Sequence, residues 1–269
     1  MAGAVSRASL AEVNERFDEI AAGADAATLG AELFAVLHLL DREHGLRRSL
    51  ADPASFGEAK AQIVRSLLEG KLSESAIELA AEVVRRRWST SAEMTDAIER
   101  LAVNAQAVAA ERAGRLDQLE DDLFRFTRVV SGDPALRAAL AGAQIPAERK
   151  AELVKALLEG KVAEASLALI TEAVTHSRGR SLEGELDGYG KVVAERRNRL
   201  VALVRTAVPL TGEQQTRLAA ALGASYGRDV HLNIELDPTV LGGIAVQIGD
   251  EAIDGTIAGR LDGVRRRIA

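Results

Sequence analysis

The stretch Glu58–Lys71 reads EAKAQIVRSLLEGK, and 90 residues later Glu148–Lys161 reads ERKAELVKALLEGK, with nine of the 14 positions identical. In both copies the apolar residues recur at spacings of three and four, which is typical of one face of a helix. The same offset relates LRRSL at 46–50 to LRAAL at 136–140. The first two thirds of the chain are therefore predicted to contain one helical unit twice.

Capping residues and glycines set the predicted ends of the repeated helix. Ser55 and Glu58 make an S-x-x-E pattern ahead of the apolar face, which predicts a capping box, and Gly70 predicts the end of that helix. In the second copy, Pro146 stands near the predicted first turn and Gly160 follows the last one. Each copy is thus expected to hold a helix at the same relative position.

A longer helix is predicted between the two copies. The segment 91–113 contains neither proline nor glycine, and its apolar residues recur at spacings of four and three: Met94, Ile98, Leu101, Ala105 and Val108. This pattern predicts one helix of about 22 residues. Because the helix ends the first copy and begins the second, we expect both bundles to share it.

The periodicity changes near Leu200, where alternating and β-branched stretches replace the helical pattern. LVALVRTAVPL at 200–210, VHLNIEL at 230–236 and GGIAVQI at 242–248 predict three strands. We expect the second and third strands to pair with each other across Asp237-Pro238.

Two helices are predicted to accompany these strands. Thr211 and Gln214 make a T-x-x-Q capping box for a helix that Gly227 ends, and residues 256–268 predict a helix that closes the chain. The C-terminal part therefore has the predicted order β-α-β-β-α.

The predicted fold is mainly α with a small α+β C-terminal module. Residues 1–112 form an additional, duplicated helical bundle, and residues 91–199 form a second bundle that shares the 91–113 helix. Residues 200–269 form the β-α-β-β-α module. If the long helix is shared, the two bundles are mechanically continuous.

Composition narrows the classes of function. The formal net charge of −6 and the pI near 5.4 give no general attraction to nucleic acid or to anionic lipid. No run approaches the roughly 18 apolar residues that cross a bilayer. Cysteine is absent, which excludes disulfides, thiolate metal sites and a cysteine nucleophile.

No catalytic, cofactor-binding or metal-binding pattern stands out. The histidines fall on unrelated segments, and His38 and His44, six residues apart, point about 240° away from each other on a helix. The remaining two are His176 and His231. We therefore expect no metal site and no cofactor.

A set of residues between 232 and 268 carries a resemblance to a known family: Asp237, Leu241, Gly242, Gly243, Ile244, Val246, Ile248, Gly249, Asp250, Ile253, Asp254, Gly255, Ile257, Gly259, Arg260 and Leu261. In this combination the segment resembles the C-terminal signature of the delta subunit of F-type ATP synthase, the family of the oligomycin-sensitivity-conferring protein. Residues 116–199 fit the helical bundle of that family, which ordinarily has one bundle and not two.

The resemblance implies a non-catalytic stator subunit of the peripheral stalk. In the family, the bundle binds the N-terminal helix of an alpha subunit, and the C-terminal module binds b-type stalk subunits, so that the catalytic head cannot turn with the rotor. We expect a location on the cytoplasmic face of the cell membrane, reached through the complex, and no nucleic-acid partner.

Candidate contacts for the alpha-subunit helix are Leu167, Ile170 and Val174, which follow one another at i, i+3 and i+7. The same spacing is equally typical of core positions, and both interpretations stay open.

Two other functions remain as alternatives. One is a helical-repeat adaptor unrelated to ATP synthesis. The other is an enzyme with a polar site built from Asp250, Asp254 and Arg260, whose spacing along a turn and a helix start fits helix caps equally well.

Overall fold

The computed structural model describes residues 3–142, 144–227, 229–238, 240, 242–248 and 251–254. In chain order the elements are α1 Ala4–Gly23, α2 Ala26–Arg42, α3 His44–Ala51, α4 Gly57–Leu68, α5 Glu74–Arg85, α6 Ser91–Arg112, α7 Leu116–Gly132, α8 Pro134–Ala141, α9 Ala147–Leu158, α10 Glu164–Thr175, α11 Leu182–Asn198, β1 Arg199–Thr206, α12 Gly212–Tyr226, β2 Asp229–Leu236, β3 Ile244–Ile248 and β4 Glu251–Asp254. The predicted class, mainly α with a small α+β module, is confirmed. The chain divides into two compact units, Met1–Arg196 and Arg197–Ala269.

The internal repeat is visible in the helices of the first unit. Helices α2, α3, α4 and α5 each begin 90 residues before α7, α8, α9 and α10, and each pair has the same length of 17, 8, 12 and 12 residues. Helix α6 stands between the two sets and has 22 residues. Helices α1–α6 make one set of six and α6–α11 make another, so α6 has the position of a helix that two six-helix bundles share.

One hydrophobic core runs through the first unit. The apolar face of α6 that the spacing indicated is fully buried, with Leu101 and Ala105 0% exposed. Buried residues from α1 to α5 and from α7 to α11 belong to the same contiguous cluster, in which Leu33 and its repeat equivalent Leu123 are 0% and 1% exposed. Since α6 packs on both sides, the cluster has no gap at the boundary between the repeats.

Most of the predicted helix ends are confirmed. Gly70 and Gly160 have φ of 71° and 73°, and Gly227 has φ of 66°, the left-handed conformation that glycine adopts without a Cβ clash. Thr211 and Gln214 form the complete capping box at the start of α12.

The predicted capping box at Ser55 is wrong. Helix α4 begins one residue later than that box requires, with Phe56 at the N-cap and no side-chain cap bond. Glu58 instead accepts hydrogen bonds from Arg65 and from Arg85 on the neighbouring helix α5. Its carboxylate is therefore used to join two helices and not to close one.

Helices α2 and α6 approach each other closely at Gly30. A Cβ at this position would lie 2.6 Å from Nε2 of Gln106 and 3.1 Å from the carbonyl oxygen of Ala102. The Gln106 amide in turn donates to the carbonyl of Ala27 at 3.0 Å. The missing side chain of Gly30 thus lets α2 lie directly against the shared helix.

The C-terminal unit contains a four-stranded sheet in the order β2-β1-β3-β4. Strand β1 pairs in parallel with β2, with Ala202 opposite Leu232, and antiparallel with β3, with Val204 opposite Val246. The connection through α12 is a β-α-β crossover, which delivers β2 parallel to β1. The buried residues of the sheet and α12 form a second, smaller core.

Two expectations for this unit differ from the structure. Strand β3 pairs with β1 and β4, and not with β2 as predicted, because β1 lies between the two strands. A fourth strand, Glu251–Asp254, was not predicted, and it pairs with β3. The predicted helix at 256–268 lies outside the described residues.

Candidate functional site

An arginine junction connects the two repeats at the shared helix. Arg178 lies in the turn between α10 and α11 with φ of 47°, an uncommon conformation for a residue with a side chain. Its guanidinium donates to Asp41 of α2 at 2.9 Å. The same group contacts three side chains of α6 at 2.6–2.9 Å: Thr95, Asp96 and Glu99. These bonds stabilise a backbone conformation that would otherwise cost about 1–3 kcal/mol.

A buried carboxyl pair adjoins this junction. Glu185 of α11 is 0% exposed and Glu99 of α6 is 5% exposed. Burial, together with the hydrogen bond and the negative charge of Glu99, raises the pKa of Glu185 to about 8. Burial also raises the pKa of Glu99, but hydrogen bonds from Glu185, Arg180 and the charge of Arg178 outweigh it and lower that pKa below its usual value. Glu185 thus holds the proton and Glu99 the charge.

Replacing Glu185 with glutamine should weaken the pH dependence of stability. Because the folded pKa lies above the ordinary value of 4.5, the folded state binds more protons than the unfolded state between these two pKa values. The free energy of unfolding therefore falls as the pH rises from about 4.5 to about 8. Glutamine keeps a donor toward Glu99 and cannot ionise, so we expect Glu185→Gln to gain about 3.5 kcal/mol relative to the parent between pH 5 and pH 8.

Urea unfolding at pH 5 and pH 8 measures this difference. Asp187→Asn is the matched control, since it neutralises a carboxylate on the same helix at an exposed position. Parallel stability curves for Glu185→Gln and the parent chain would contradict the prediction.

A second brace joins the first and last helices of the unit. Arg196 of α11 donates to Asp18 of α1 at 2.7 Å and to Glu111 of α6 at 2.9 Å. The side chains of Arg196 and Asp18 are only 9% and 5% exposed. A second pair, Arg100 with Glu195, links α6 to the residue of α11 that precedes Arg196. Helix α11 is therefore tied to both repeats by charged contacts.

A groove lined by alanines runs along the shared helix. It has a volume of about 560 Å³, its floor is α6, and its walls are α2 and α10. Ala31 and Ala168 on the two walls are exposed, and Ala109 on the floor is half-buried. The lining residues are Ala27, Ala31, Gln106, Ala109, Ala110, Ala113, Arg115, Ala163, Glu164, Ala165 and Ala168. Such small side chains let another helix approach the backbone closely.

The three predicted groove residues lie on the core side of α10. Ile170 and Val174 are 0% and 3% exposed, and Leu167 is half-buried against the same core. This placement favours the core interpretation for Ile170 and Val174. The exposed residues of α10 that line the groove are Glu164 and Ala168.

Two of the histidines lie together, although they fall on distant segments of the sequence. His38 of α2 and His176, which caps the end of α10, stack with ring centroids 3.7 Å apart. Both contact Glu172. His44 is exposed on α3. The pairing joins residues more than 130 positions apart, and no spacing in the sequence could have indicated it.

The C-terminal signature residues are only partly described. Gly242 and Gly243 have φ of 68° and 84°, so both need glycine directly before β3. The amide of Asp237 donates to the carbonyl of Thr206 at 2.9 Å, and Asp254 ends β4. Eight of the signature residues lie outside the described residues: Leu241, Gly249, Asp250, Gly255, Ile257, Gly259, Arg260 and Leu261. Asp250 and Arg260 of the alternative polar site also lie outside the described residues, so that site stays an expectation.

These features define a helical scaffold, in which charged braces hold a repeated bundle around one long helix. Among the described residues, no helix has both the length and the apolar character needed to cross a membrane.

Comparison with known proteins identifies the family. Residues 103–268 match the family described as ATP synthase delta (OSCP) subunit. The ATP synthase subunit delta of Thermobifida fusca (strain YX) is 52% identical over 265 residues, which is 98% of both chains. That of Streptomyces griseus is 48% identical over 266 residues, again 98% of both chains. The chain belongs to the ATP synthase delta (OSCP) subunit family, and is thus a structural stator component of the peripheral stalk and not a catalytic subunit.

The boundaries of the match agree with the repeat. The family model begins at residue 103, inside α6, and includes all of α7 to α11. The two relatives extend over nearly the whole chain, so they also share the residues before the family match. The sequence of the first bundle is therefore shared with these two relatives, although the family model does not include it.

Proposed function

We propose that the helical unit binds the N-terminal helix of an ATP synthase alpha subunit, and that the C-terminal module binds the b-type stalk subunits. In this arrangement the chain holds the catalytic head against rotation on the cytoplasmic face of the cell membrane. The observation that carries the proposal is the alanine groove on α6. The α6 residues that form its floor and the α10 residues that form one wall all fall inside the region that the family model matches, 103–268.

The groove has the character that helix recognition requires. An amphipathic helix binds by laying its apolar face into an apolar groove, with anchors at i, i+3, i+4 and i+7. The alanines supply the apolar floor and walls, and Gln106, Arg115 and Glu164 supply polar groups at the groove. We place Leu167 at the edge of this contact surface, with Ile170 and Val174 supporting α10 from the core.

The extra bundle contributes to the same groove. Its α2 wall carries Ala27 and Ala31, and the contact at Gly30 holds that wall against α6. A chain with a single bundle would lack this wall. We therefore propose that the added bundle enlarges the surface available to the alpha-subunit helix.

Arginine substitutions in the groove test the proposal. Ala168→Arg and Ala31→Arg place a long charged side chain at exposed wall positions, so we expect each to weaken binding of a synthetic alpha-subunit N-terminal peptide at least about tenfold, or 1.4 kcal/mol. Titration calorimetry with the full chain measures the affinity. Ala156→Arg on the exposed side of α9 is the matched control, because it adds the same side chain outside the groove.

Affinity capture from solubilised membranes separates the two proposed contacts. The groove variants should still recover b-type subunits, which bind the other unit, while they recover less alpha subunit. Equal peptide affinity in the groove variants and in Ala156→Arg would contradict the groove, and capture that recovers neither alpha nor b-type subunits would contradict both proposed contacts.

A further inference from the structure

The stacked histidines and the carboxylate between them form a cluster of metal-binding groups at the boundary of the two repeats. His38 comes from α2 in the first repeat, and Glu172 and His176 come from the end of α10 in the second. One ligand atom from each residue can be chosen so that all three atoms lie within 4.8 Å of one another. We propose that these three residues bind one divalent transition-metal ion of the zinc class.

The distances are those of ligands that can converge on one ion. Nε2 of His38 lies 2.6 Å from Oε1 of Glu172, and Nδ1 of His176 lies 3.5 Å from Oε2. Two ligands of one tetrahedral zinc ion, each at about 2.0–2.2 Å from the metal, are about 3.3 Å apart. The two contacts lie on either side of this spacing, and the stacked rings must turn so that Nε2 of His38 and Nδ1 of His176 point at one ion.

The chemical types of the ligands select the metal. Two imidazoles with one carboxylate are a common three-residue set for zinc, which leaves a fourth position for water. Calcium and magnesium prefer oxygen ligands, and this cluster offers one carboxylate only. The absence of cysteine from the chain means that no thiolate competes for the ion.

The surroundings allow an ion to enter and hold the ligands in place. A cavity of about 420 Å³ opens beside the cluster, lined by Ala35, His38, Asp41, Arg42, His176 and Arg178. The positive charge of Arg178 is compensated by its ion pairs with Asp41, Asp96 and Glu99. The Thr175 hydroxyl, which donates to the carbonyl of Thr171 at 2.7 Å, also lies 2.9 Å from Nδ1 of His176, and a metal ion at that nitrogen would replace this second contact.

The ligands come from two different helices of the unit, His38 from α2 and Glu172 with His176 from the end of α10. Bound metal would link α2 to α10 and so fasten one repeat to the other.

Zinc titration of the full chain, with any affinity tag removed and after dialysis against EDTA, tests the site. We expect one Zn²⁺ per chain at neutral pH, a rise in the melting temperature with added ZnCl₂, and no competition from millimolar MgCl₂. His38→Ala and Glu172→Gln should each weaken binding at least about tenfold, since even residues that only orient a ligand contribute that much.

His44→Ala is the matched control, because it removes an exposed histidine only six residues from His38. A parent chain without saturable zinc binding overturns the proposal, even if His38→Ala lowers the melting temperature, because the cluster would then be a hydrogen-bonded bridge alone. Equal losses of zinc affinity in His44→Ala and His38→Ala would also overturn it.

Discussion

Replacing Arg196 with methionine is expected to lower the free energy of unfolding by about 3 kcal/mol at neutral pH. The substitution keeps a long apolar side chain at the end of α11, but it removes the guanidinium that contacts Asp18 at 2.7 Å and Glu111 at 2.8 Å. The carboxylate of Asp18, with a side chain 5% exposed, then remains buried without its arginine. Breaking one side of a buried ion pair costs more than the intact pair contributes, because the desolvated charge persists.

A double-mutant cycle isolates this effect. Asp18→Asn in the Arg196→Met background removes the buried charge, so the double variant should recover part of the lost stability. Urea unfolding followed by circular dichroism measures all four chains. Arg149→Met is the control, because it breaks an exposed pair whose side chains are 75% and 67% exposed, and we expect a loss of less than about 0.5 kcal/mol. A similar small loss for Arg196→Met would show that water reaches the brace.

Local patterns predicted the helical part of the fold well, because its helices obey short-range rules. The repeat at 58–71 and 148–161 indicated equal helices at an offset of 90, and α4 and α9 have equal lengths at that offset. The spacing of the apolar residues predicted the length of α6 and its buried face. The capping box at Ser55 was wrong because Glu58 has stronger partners, Arg65 and Arg85, that only the packed helices bring near.

The sheet was predicted less well for a topological reason. Alternation identifies a strand but does not say which neighbour it joins, and sequence proximity favoured a pair between β2 and β3. The crossover through α12 places β2 on one side of β1, and β3 then occupies the other side. Strand β4 was missed because EAID at 251–254 has only four residues, too few for a pattern.

The charged contacts of the candidate site could not be predicted from the sequence. Arg178 is recognisable as part of an Arg-Gly-Arg turn, yet its partners Asp41 and Glu99 lie 137 and 79 positions away. Ion pairs depend on the final packing of the bundles, and a single sequence shows no correlation between such positions. The alanine groove was missed for a similar reason, since its floor and walls come from three helices of two repeats.

The charged braces and the continuous core both connect the two repeats, which bears on whether the two bundles unfold together. A stator subunit transmits torque without yielding, and two bundles that unfolded independently would provide a flexible joint. We propose that the shared helix α6 makes the two bundles one cooperative unit.

The chain contains one tryptophan, Trp88, which lies between α5 and α6 with 6% exposure and donates to the carbonyl of Val83 at 2.7 Å. Its fluorescence therefore reports on the first bundle.

Leu123→Ala in the second bundle is expected to shift the unfolding of Trp88 in the first. The leucine is 1% exposed, and removing its buried methyl groups should cost about 2–5 kcal/mol. If α6 and the core couple the bundles, urea unfolding followed by Trp88 fluorescence and by circular dichroism should give the same lowered midpoint. Leu33→Ala, the equivalent change in the first bundle, should behave alike, and Phe124→Ala at a 62% exposed position should change little. A Trp88 midpoint that stays at its parent value in Leu123→Ala would mean that the bundles unfold separately, and that a rigid connection through α6 does not exist.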